Sequence, residues 1–351
     1  MRVLYIGNAG QKSPGANYYS SHRRAVNGLR RSGHDVLHFS DRDRLRTKRP
    51  LPFAARRVNV ELLRIARGFQ PEALILCCAE IVTNETLEKL KAASPGVRIA
   101  QINIDCIFNP DNARRFRARR GYVDMQFFTT AGDALAAFAT AGAPCYFIPQ
   151  LVDSSIDTGR AFALDAPAYD LTCTMTVDPR FEDSAWRQSL ALGLKRNLPE
   201  LATCYRGFGG HPPLYGRAYI EAYGNSAMAL NLSQTMSGNV ASTEAERYLY
   251  SSNRIAHIIG NGALAFIPDE FGLDELYPDA VFFSGLDELT DKVRFYWDRP
   301  EERQAIAWLS WRRAHAEFDS ARIMRYVLDR IFERPPGRDY AWPVRPVFAA
   351  A

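Results

Sequence analysis

The sequence predicts an α/β protein of two doubly wound, Rossmann-like domains. Three observations carry that expectation. Short apolar runs of strand length alternate with amphipathic stretches of helix length, and glycine, asparagine or aspartate marks the joints between them. The alternation stops at a polar, irregular stretch, residues 154–167, and restarts at Tyr169. The 351 residues, 47% of them hydrophobic, suffice for two packed cores.

In the first half, residues 3–6 read as a buried strand and residues 7–15 as a glycine-bearing loop. A helix over residues 18–32 leads through Gly33 into a second strand ending at Ser40-Asp41, which completes an opening βαβ unit. The loop does not spell the GxGxxG fingerprint, and Asp41 lies too far from Gly7 for it, so a nicotinamide cofactor is not indicated. Asp41-Arg42-Asp43 matches a DxD metal triplet in form, but basic residues crowd it. Residues 73–76 give a third strand, 80–93 a helix and 98–104 a fourth strand. Residues 124–129 (strand), 132–142 (helix) and 146–149 (strand) finish the domain. Asp105 closes the fourth strand, where a carboxylate either accepts a proton from a hydroxyl or caps the next turn. His22, near the start of the first helix, reads either as a base or as a histidine on the helix surface.

In the second half, residues 169–175 form a strand and a helix begins near Ser184. After the strand and turn at 201–207, the loop of residues 207–213 has little side-chain bulk. Its backbone at Gly207 and Gly209 either lines a nucleotide base, with Tyr215 stacking on it, or makes an ordinary turn. Residues 219–225 read as a helix and 227–232 as a strand, and residues 233–240 as a loop placed to close over a ligand. Ser251-Ser252-Asn253-Arg254 then opens a helix, Gly260-Asn261-Gly262 breaks it, and the apolar run 263–267 ends at Pro268-Asp269. In an open α/β sheet, ligands lie outside the carboxyl ends of the strands, facing helix N-termini, so Asn253, Arg254 and Asp269 edge one pocket. An arginine at a helix start grips a diphosphate through its forked donors and beside the positive end of the helix; the alternative is an ordinary capping arginine. A short strand at 281–283, helices at 286–296, 300–315 and 321–332, and a proline-bearing tail expected along the surface complete the chain.

Residues 170–328 resemble the CgeB-like glycosyltransferases, a branch of the group 1 glycosyltransferases with the GT-B fold. The resemblance rests on Arg254, Gly262-Ala263, Gly272, Glu275-Leu276-Tyr277 and Asp287-Glu288-Leu289, and upstream on Tyr223-Gly224-Asn225-Ser226 and Ala229-Leu230-Asn231-Leu232. It implies two Rossmann-like domains facing a cleft. The acceptor domain would span residues 1–153, the linker 154–168 and the nucleotide-sugar domain 169–320, with a C-terminal helix and tail, 321–351, packing back on the first domain. It implies transfer of a hexose from a nucleotide sugar to a glycan, lipid-linked or protein acceptor, without cofactor or metal. Arg187 and Arg254 would hold the diphosphate, Gly262, Asp269 and Glu275 would add donor contacts, and Asp105 or His22 would serve as base. His257 stands where the family has a glutamate expected to hold a ribose or sugar hydroxyl, and an imidazole offers a single donor or acceptor there. That departure favours the alternative of a non-catalytic sugar-nucleotide or glycan-binding protein on the same scaffold.

Net charge is +5. Residues 42–67 carry nine of the basic side chains, interleaved with Leu45, Leu51, Phe53 and Val58. Such a segment is either a solvated helix face with Arg/Glu pairs or a surface resting on an anionic membrane. Nucleic acid is not indicated, because aromatic interleaving and recognition motifs are missing. The six cysteines form no CxxC or Cys/His cluster, which argues against zinc and disulfides and for a reducing cytoplasm. No apolar stretch reaches the length of a membrane span, so the expected location is cytoplasmic, with peripheral contact at the inner membrane face.

Overall fold

The computed structural model describes residues 1–10, 15–48, 52–177, 182–233, 243–269, 271–335 and 337–349. They form two units, residues 1–151 with 320–351, and residues 152–319.

The first unit is built on a six-stranded parallel sheet: β1 (Arg2–Ile6), β2 (Asp35–Phe39), β3 (Ala73–Cys77), β4 (Arg98–Asn103), β5 (Met125–Phe128) and β6 (Cys145–Phe147), in the order β2-β1-β3-β4-β5-β6. Every residue of β3 is buried, as expected of an unbroken apolar run covered on both faces. From β1 the chain moves to one side for β2 and returns to the other for β3, so a crevice opens outside the carboxyl ends of β1 and β3. Helix α1 (Ser21–Arg31) begins where Ser20 Oγ accepts the Arg23 amide at 3.3 Å.

The basic segment forms two helices, α2 (Asp41–Lys48) and α3 (Ala54–Phe69). Asp41 and Asp43 are buried in α2, Asp41 accepting the Ile81 amide at 3.2 Å and Asp43 the Ser40 hydroxyl at 2.5 Å, so the DxD triplet is spent on the fold. Helices α4 (Asn84–Ala93) and α5 (Pro110–Arg117) follow, capped by Thr83 and Asn109. The helix expected at 132–142 is a single 3-10 turn, Asp133–Ala137. Leu135 and Phe138 leave it to join the Phe128 cluster, the two phenyl rings lying 4.9 Å apart.

Helix α13 (Ser320–Ile331) packs against α1 at Gly28, where a Cβ would come within 2.4 Å of the Ser320 carbonyl oxygen. The tail does not simply follow the surface. Trp342 is 5% exposed against Tyr326 and Tyr340, and Val347 pairs antiparallel with Cys145 on β6. Its prolines exclude helix, but they leave its aromatics free to bury.

The second unit carries a five-stranded parallel sheet: β7 (Tyr169–Thr174), β8 (Thr203–Arg206), β9 (Ser226–Leu230), β10 (Leu264–Pro268) and β11 (Val281–Phe283), in the order β11-β10-β9-β7-β8. Its helices are α6 (Glu182–Asn197), α7 (Gly216–Gly224), α8 (Glu244–Arg247), α9 (Asn253–Gly260), α10 (Leu273–Leu276), α11 (Leu286–Trp297) and α12 (Pro300–Glu317). Leu194, Met228, Phe266 and Leu289 are fully buried in one core of sheet and helix side chains. Here the strand order reverses between β7 and β9. Among the described residues no helix is long and apolar enough to cross a membrane.

Candidate functional site

The crevice at the β7/β9 reversal is where the second unit gathers its polar side chains. Beyond β9 the chain continues as Asn231-Leu232-Ser233, and α9 begins against it. Ser252 and Asn253 start α9 because they are polar and precede the apolar face Ile255, Ala256, Ile258 and Ile259, all buried. Arg254, half-buried in the first turn, donates from Nη1 to the Leu232 carbonyl at 2.9 Å and to Asn231 Oδ1 at 3.4 Å. Arg187 on α6, 4% exposed, donates from Nη1 to the same Leu232 carbonyl at 3.3 Å and from Nη2 to Ser184 Oγ at 3.1 Å. Asn231 is 1% exposed; its Oδ1 also accepts from Ser252 Oγ at 3.1 Å, and its Nδ2 donates to Ser233 Oγ at 3.0 Å.

Two guanidiniums and the first turn of a helix thus face one point, an arrangement suited to an anion. The field reaches Cys173, whose thiol burial pushes up to about 12 while Arg254 and Arg187 pull it the other way. Asn231, Ser252 and Ser184 were not among the expected site residues. The available signal for Asn231 was a polar residue near the end of the otherwise apolar run 227–232.

Other expected donor contacts share this side of the sheet. Gly207 turns the chain after β8 at φ 84°, and a Cβ there would lie 2.0 Å from the Met175 carbonyl oxygen, so glycine alone lets the exits of β7 and β8 touch. Gly209 follows at φ 59°, its amide 3.4 Å from Gln188 Oε1. Tyr215, just before α7, is 61% exposed. Asn253 opens α9 and Asp269 follows β10, its side chain exposed. Glu275 is exposed on α10 and accepts from the Tyr248 hydroxyl at 3.4 Å.

Two of the expected donor contacts are engaged within the protein. Gly262 lies past the far end of α9, about 13 Å from its start at 1.5 Å per residue. It takes φ 79°, and a Cβ would strike the Phe162 ring at 2.7 Å and the Ala161 amide at 2.9 Å, so the turn there requires glycine. His257 is 2% exposed, with Nδ1 3.1 Å from the Tyr219 hydroxyl and its ring edge-on to that tyrosine. It is packed where α9 meets α7. The expected closing loop lies, apart from Ser233, outside the described residues.

In the first unit, the carboxyl ends of β1, β3 and β4 bring together Tyr5, His22, Cys77, Cys78 and Asp105. Gly7 permits this, since a Cβ there would fall 2.4 Å from His22 Nδ1. His22 Nδ1 lies 3.3 Å from the Tyr5 hydroxyl, and the Cys78 thiol donates to Asp105 Oδ2 at 3.8 Å. Burial alone would lower the His22 pKa, but Cys77, Asp41 and Asp105 outweigh it and raise it. The Cys78 thiol, against the opposing effect of burial and together with His22 and Tyr5, holds Cys77 well below the usual thiol range. Crowding by protein and the neighbouring Cys77 raise the Asp105 carboxyl, against the pull of Arg115 and His22. Beside this cluster is a cavity of about 290 Å³ lined by Cys78, Glu80, Asn84, Asn112, Arg115 and Arg119 among others. Among the described residues no group of three or more His, Cys, Asp or Glu side chains is arranged to hold a metal ion.

Residues 188–329 match the family model described as "Glycosyl transferase-like". No curated protein sequence matches the chain significantly. Among solved structures, trehalose-6-phosphate synthase OtsA aligns with 96% of this chain and 100% of its own at 10% identity and TM-score 0.61. HepE from Anabaena, solved in complex with UDP-glucose, aligns with 95% of this chain and 100% of its own at 12% identity and TM-score 0.56. The UDP-forming trehalose-phosphate synthase from Burkholderia xenovorans, solved with glucose-6-phosphate, covers 94% and 100% at 12% identity and TM-score 0.57. These likenesses extend over both units and agree with the two parallel α/β sheets. The chain has the two-domain, Rossmann-like GT-B fold, and its residues 188–329 resemble the glycosyl transferase-like family model.

Proposed function

We propose that the protein is a glycosyltransferase that takes a sugar from a nucleotide-sugar donor held by the second unit and passes it to an acceptor held by the first. The observation that carries this reading is the convergence of Arg187, Arg254 and the start of α9 at the β7/β9 crevice. Transfer breaks the bond between the anomeric carbon and the diphosphate oxygen, and charge grows on the diphosphate as it leaves. Arg254 brings Nε and Nη2, which have no acceptor among the described residues, to that charge, while Leu232 and Ser184 fix Arg187 behind it. Because these groups supply the positive charge, the transfer is proposed to be metal-independent and to need no cofactor.

In an inverting transfer, the acceptor oxygen attacks the anomeric carbon and its proton passes to a base in the cluster of Asp105 and His22. The raised Asp105 carboxyl is a stronger base than an ordinary carboxylate. Gly207, Gly209 and Tyr215 are proposed to border the nucleotide base. Hexosyl transfer and membership of the CgeB-like branch are supported by Arg254, Glu275-Leu276-Tyr277 and Asp287-Glu288-Leu289. The acceptor is proposed to be a glycan, a lipid-linked sugar or a protein hydroxyl, met in the cytoplasm.

The reading is tested by a thermal-shift screen against UDP-, GDP-, dTDP-, ADP- and CMP-sugars, with Arg254→Ala as control, followed by an assay for released nucleotide. One donor should raise the melting midpoint of the parent and not of the variant, since a ligand of the native state stabilises it by mass action. Binding without turnover would favour the non-catalytic sugar-nucleotide-binding alternative. A folded protein that responds to no donor would overturn the donor site.

A further inference from the structure

One face of α3 is unlike the rest of the first unit's surface. Phe53, Arg56, Arg57, Val60, Arg64 and Arg67 are all exposed on it, whereas Val58, Leu62 and Ala66 on the opposite face are buried in the core. At 3.6 residues per turn, the six exposed side chains fall within an arc of about 100°, and from Phe53 to Arg67 the face runs for about 21 Å. Phe53 is 75% exposed and Val60 59%. Phe53 also stands at the helix start with φ 57° and ψ 33°, a left-handed conformation rare for a side-chain-bearing residue, which thrusts a phenyl ring into solvent.

The charge on this face is unbalanced. Glu61 is engaged by Arg44 and by Lys48, the latter at 2.7 Å, and although Arg64 feels Glu61 and Arg56 feels Glu85, none of Arg56, Arg57, Arg64 or Arg67 has a carboxylate within 4 Å among the described residues. An open depression of about 720 Å³ lies over the face, bordered by Phe53, Arg56, Arg57, Val60 and Arg64 with Lys48 and Glu61.

We propose that this face of α3 docks on an anionic lipid surface. Guanidiniums take phosphate oxygens through paired N–H donors, and a flat helix with apolar groups between its arginines lets Phe53 and Val60 enter the acyl boundary while the charges stay among the headgroups. A soluble polyanion would use the arginines and leave Phe53 and Val60 without a role. The inference rests on this surface alone and holds whichever sugar nucleotide, or none, binds the second unit.

The test is co-sedimentation of the full chain with phosphatidylcholine vesicles, with and without a third of phosphatidylglycerol, across a range of salt. The protein should pellet with the anionic vesicles and not with the neutral ones, and binding should weaken as salt rises. Replacing Arg56, Arg57 and Arg64 together by Gln should reduce partitioning on the order of a hundredfold. Phe53→Ser should reduce it about tenfold and leave the salt dependence unchanged. All replaced side chains are exposed, so an unaltered melting midpoint will show that both variants are folded. Equal binding to neutral vesicles, unchanged binding by the variants, or tighter binding to duplex DNA than to anionic vesicles would each overturn the proposal.

Discussion

Arg187 on α6 and Arg254 on α9 donate to the same acceptor, the carbonyl oxygen of Leu232, at 3.3 and 2.9 Å. Two like charges so placed repel, and they are tolerated because the carbonyl, Ser184 and Asn231 share them. A diphosphate arriving there would replace repulsion with attraction. Geometry therefore separates the two residues by burial: Arg254 is half-buried and reaches outward, whereas Arg187 is 4% exposed and holds the wall.

Arg254→Ala should accordingly weaken nucleotide-sugar binding by about 10- to 100-fold, the value of a charge-assisted hydrogen bond, and change the stability of the unliganded protein by less than about 1 kcal/mol. Arg187→Ala should lower the unliganded stability by about 2 kcal/mol, because it empties a buried volume and removes bonds to Leu232 and Ser184. Calorimetric titration and urea denaturation separate the two effects. Equal losses of stability in both variants would contradict this division of roles.

The turn after β8 allows a comparison of two glycines with nearly the same φ. Gly207 at φ 84° would place a Cβ 2.0 Å from a carbonyl oxygen, whereas Gly210 at φ 82° would place one in open space. Gly210→Ala should cost about 1 kcal/mol, the price of a left-handed residue with a side chain. Gly207→Ala adds a backbone clash to that and should exceed about 3 kcal/mol or fail to fold. If the two variants melt alike, the contact between the β7 and β8 exits is wrong.

Much of the fold was legible because parallel strands buried on both faces read as unbroken apolar runs, as Ala73 to Cys77 shows. The place of Arg254 was legible for a related reason: a polar start to an amphipathic helix, followed by a strand, fixes which end faces the crevice. What could not be read depended on partners distant in sequence. His257 looked available until Tyr219, on another helix, covered it. Gly262 matched a family motif, and only the fold shows that its neighbours Ala161 and Phe162 require glycine at that turn. The alanine-rich stretch near 135 has helix propensity, and the pull of Phe128 on Phe138 prevails over it.

The cluster in the first unit predicts a pH dependence. If His22 acts as base or must be neutral for acceptor binding, the rate will rise as pH passes through its pKa, with a midpoint above the ordinary 6.5 because Cys77, Asp41 and Asp105 overcome the effect of burial. The linked stability runs the opposite way. A raised histidine pKa stabilises the fold fully below the unfolded value, and that contribution is lost as pH rises through the folded value. Cys77→Ser removes the foremost of the upward pulls and should move the midpoint down. The pH profile of kcat/KM and the NMR titration of the His22 ring should move together, and a midpoint indifferent to Cys77→Ser would dismiss the coupling.

His257 offers the sharpest test of burial against motif. The resembling family has glutamate at this position, so His257→Glu would be expected to help a donor hydroxyl contact if the side chain faced a ligand. In the fold it instead sits 2% exposed beside Tyr219, whose ring packs on Tyr223, whose hydroxyl in turn meets Thr174 Oγ1 at 2.6 Å. A carboxyl in that position loses its water, so its pKa must rise and its ionised form must cost stability. His257→Glu should therefore destabilise by about 2–4 kcal/mol at neutral pH. The penalty should shrink as pH falls, because the folded state then keeps a proton that the unfolded chain would release. His257→Gln, neutral and able to bond the Tyr219 hydroxyl, should cost about 1 kcal/mol and show no such pH dependence. Urea denaturation of the three proteins between pH 5 and 8 measures both differences. Should His257→Glu prove as stable as the parent and bind nucleotide sugar more tightly, the residue faces the donor after all and its packing against α7 is not the native one.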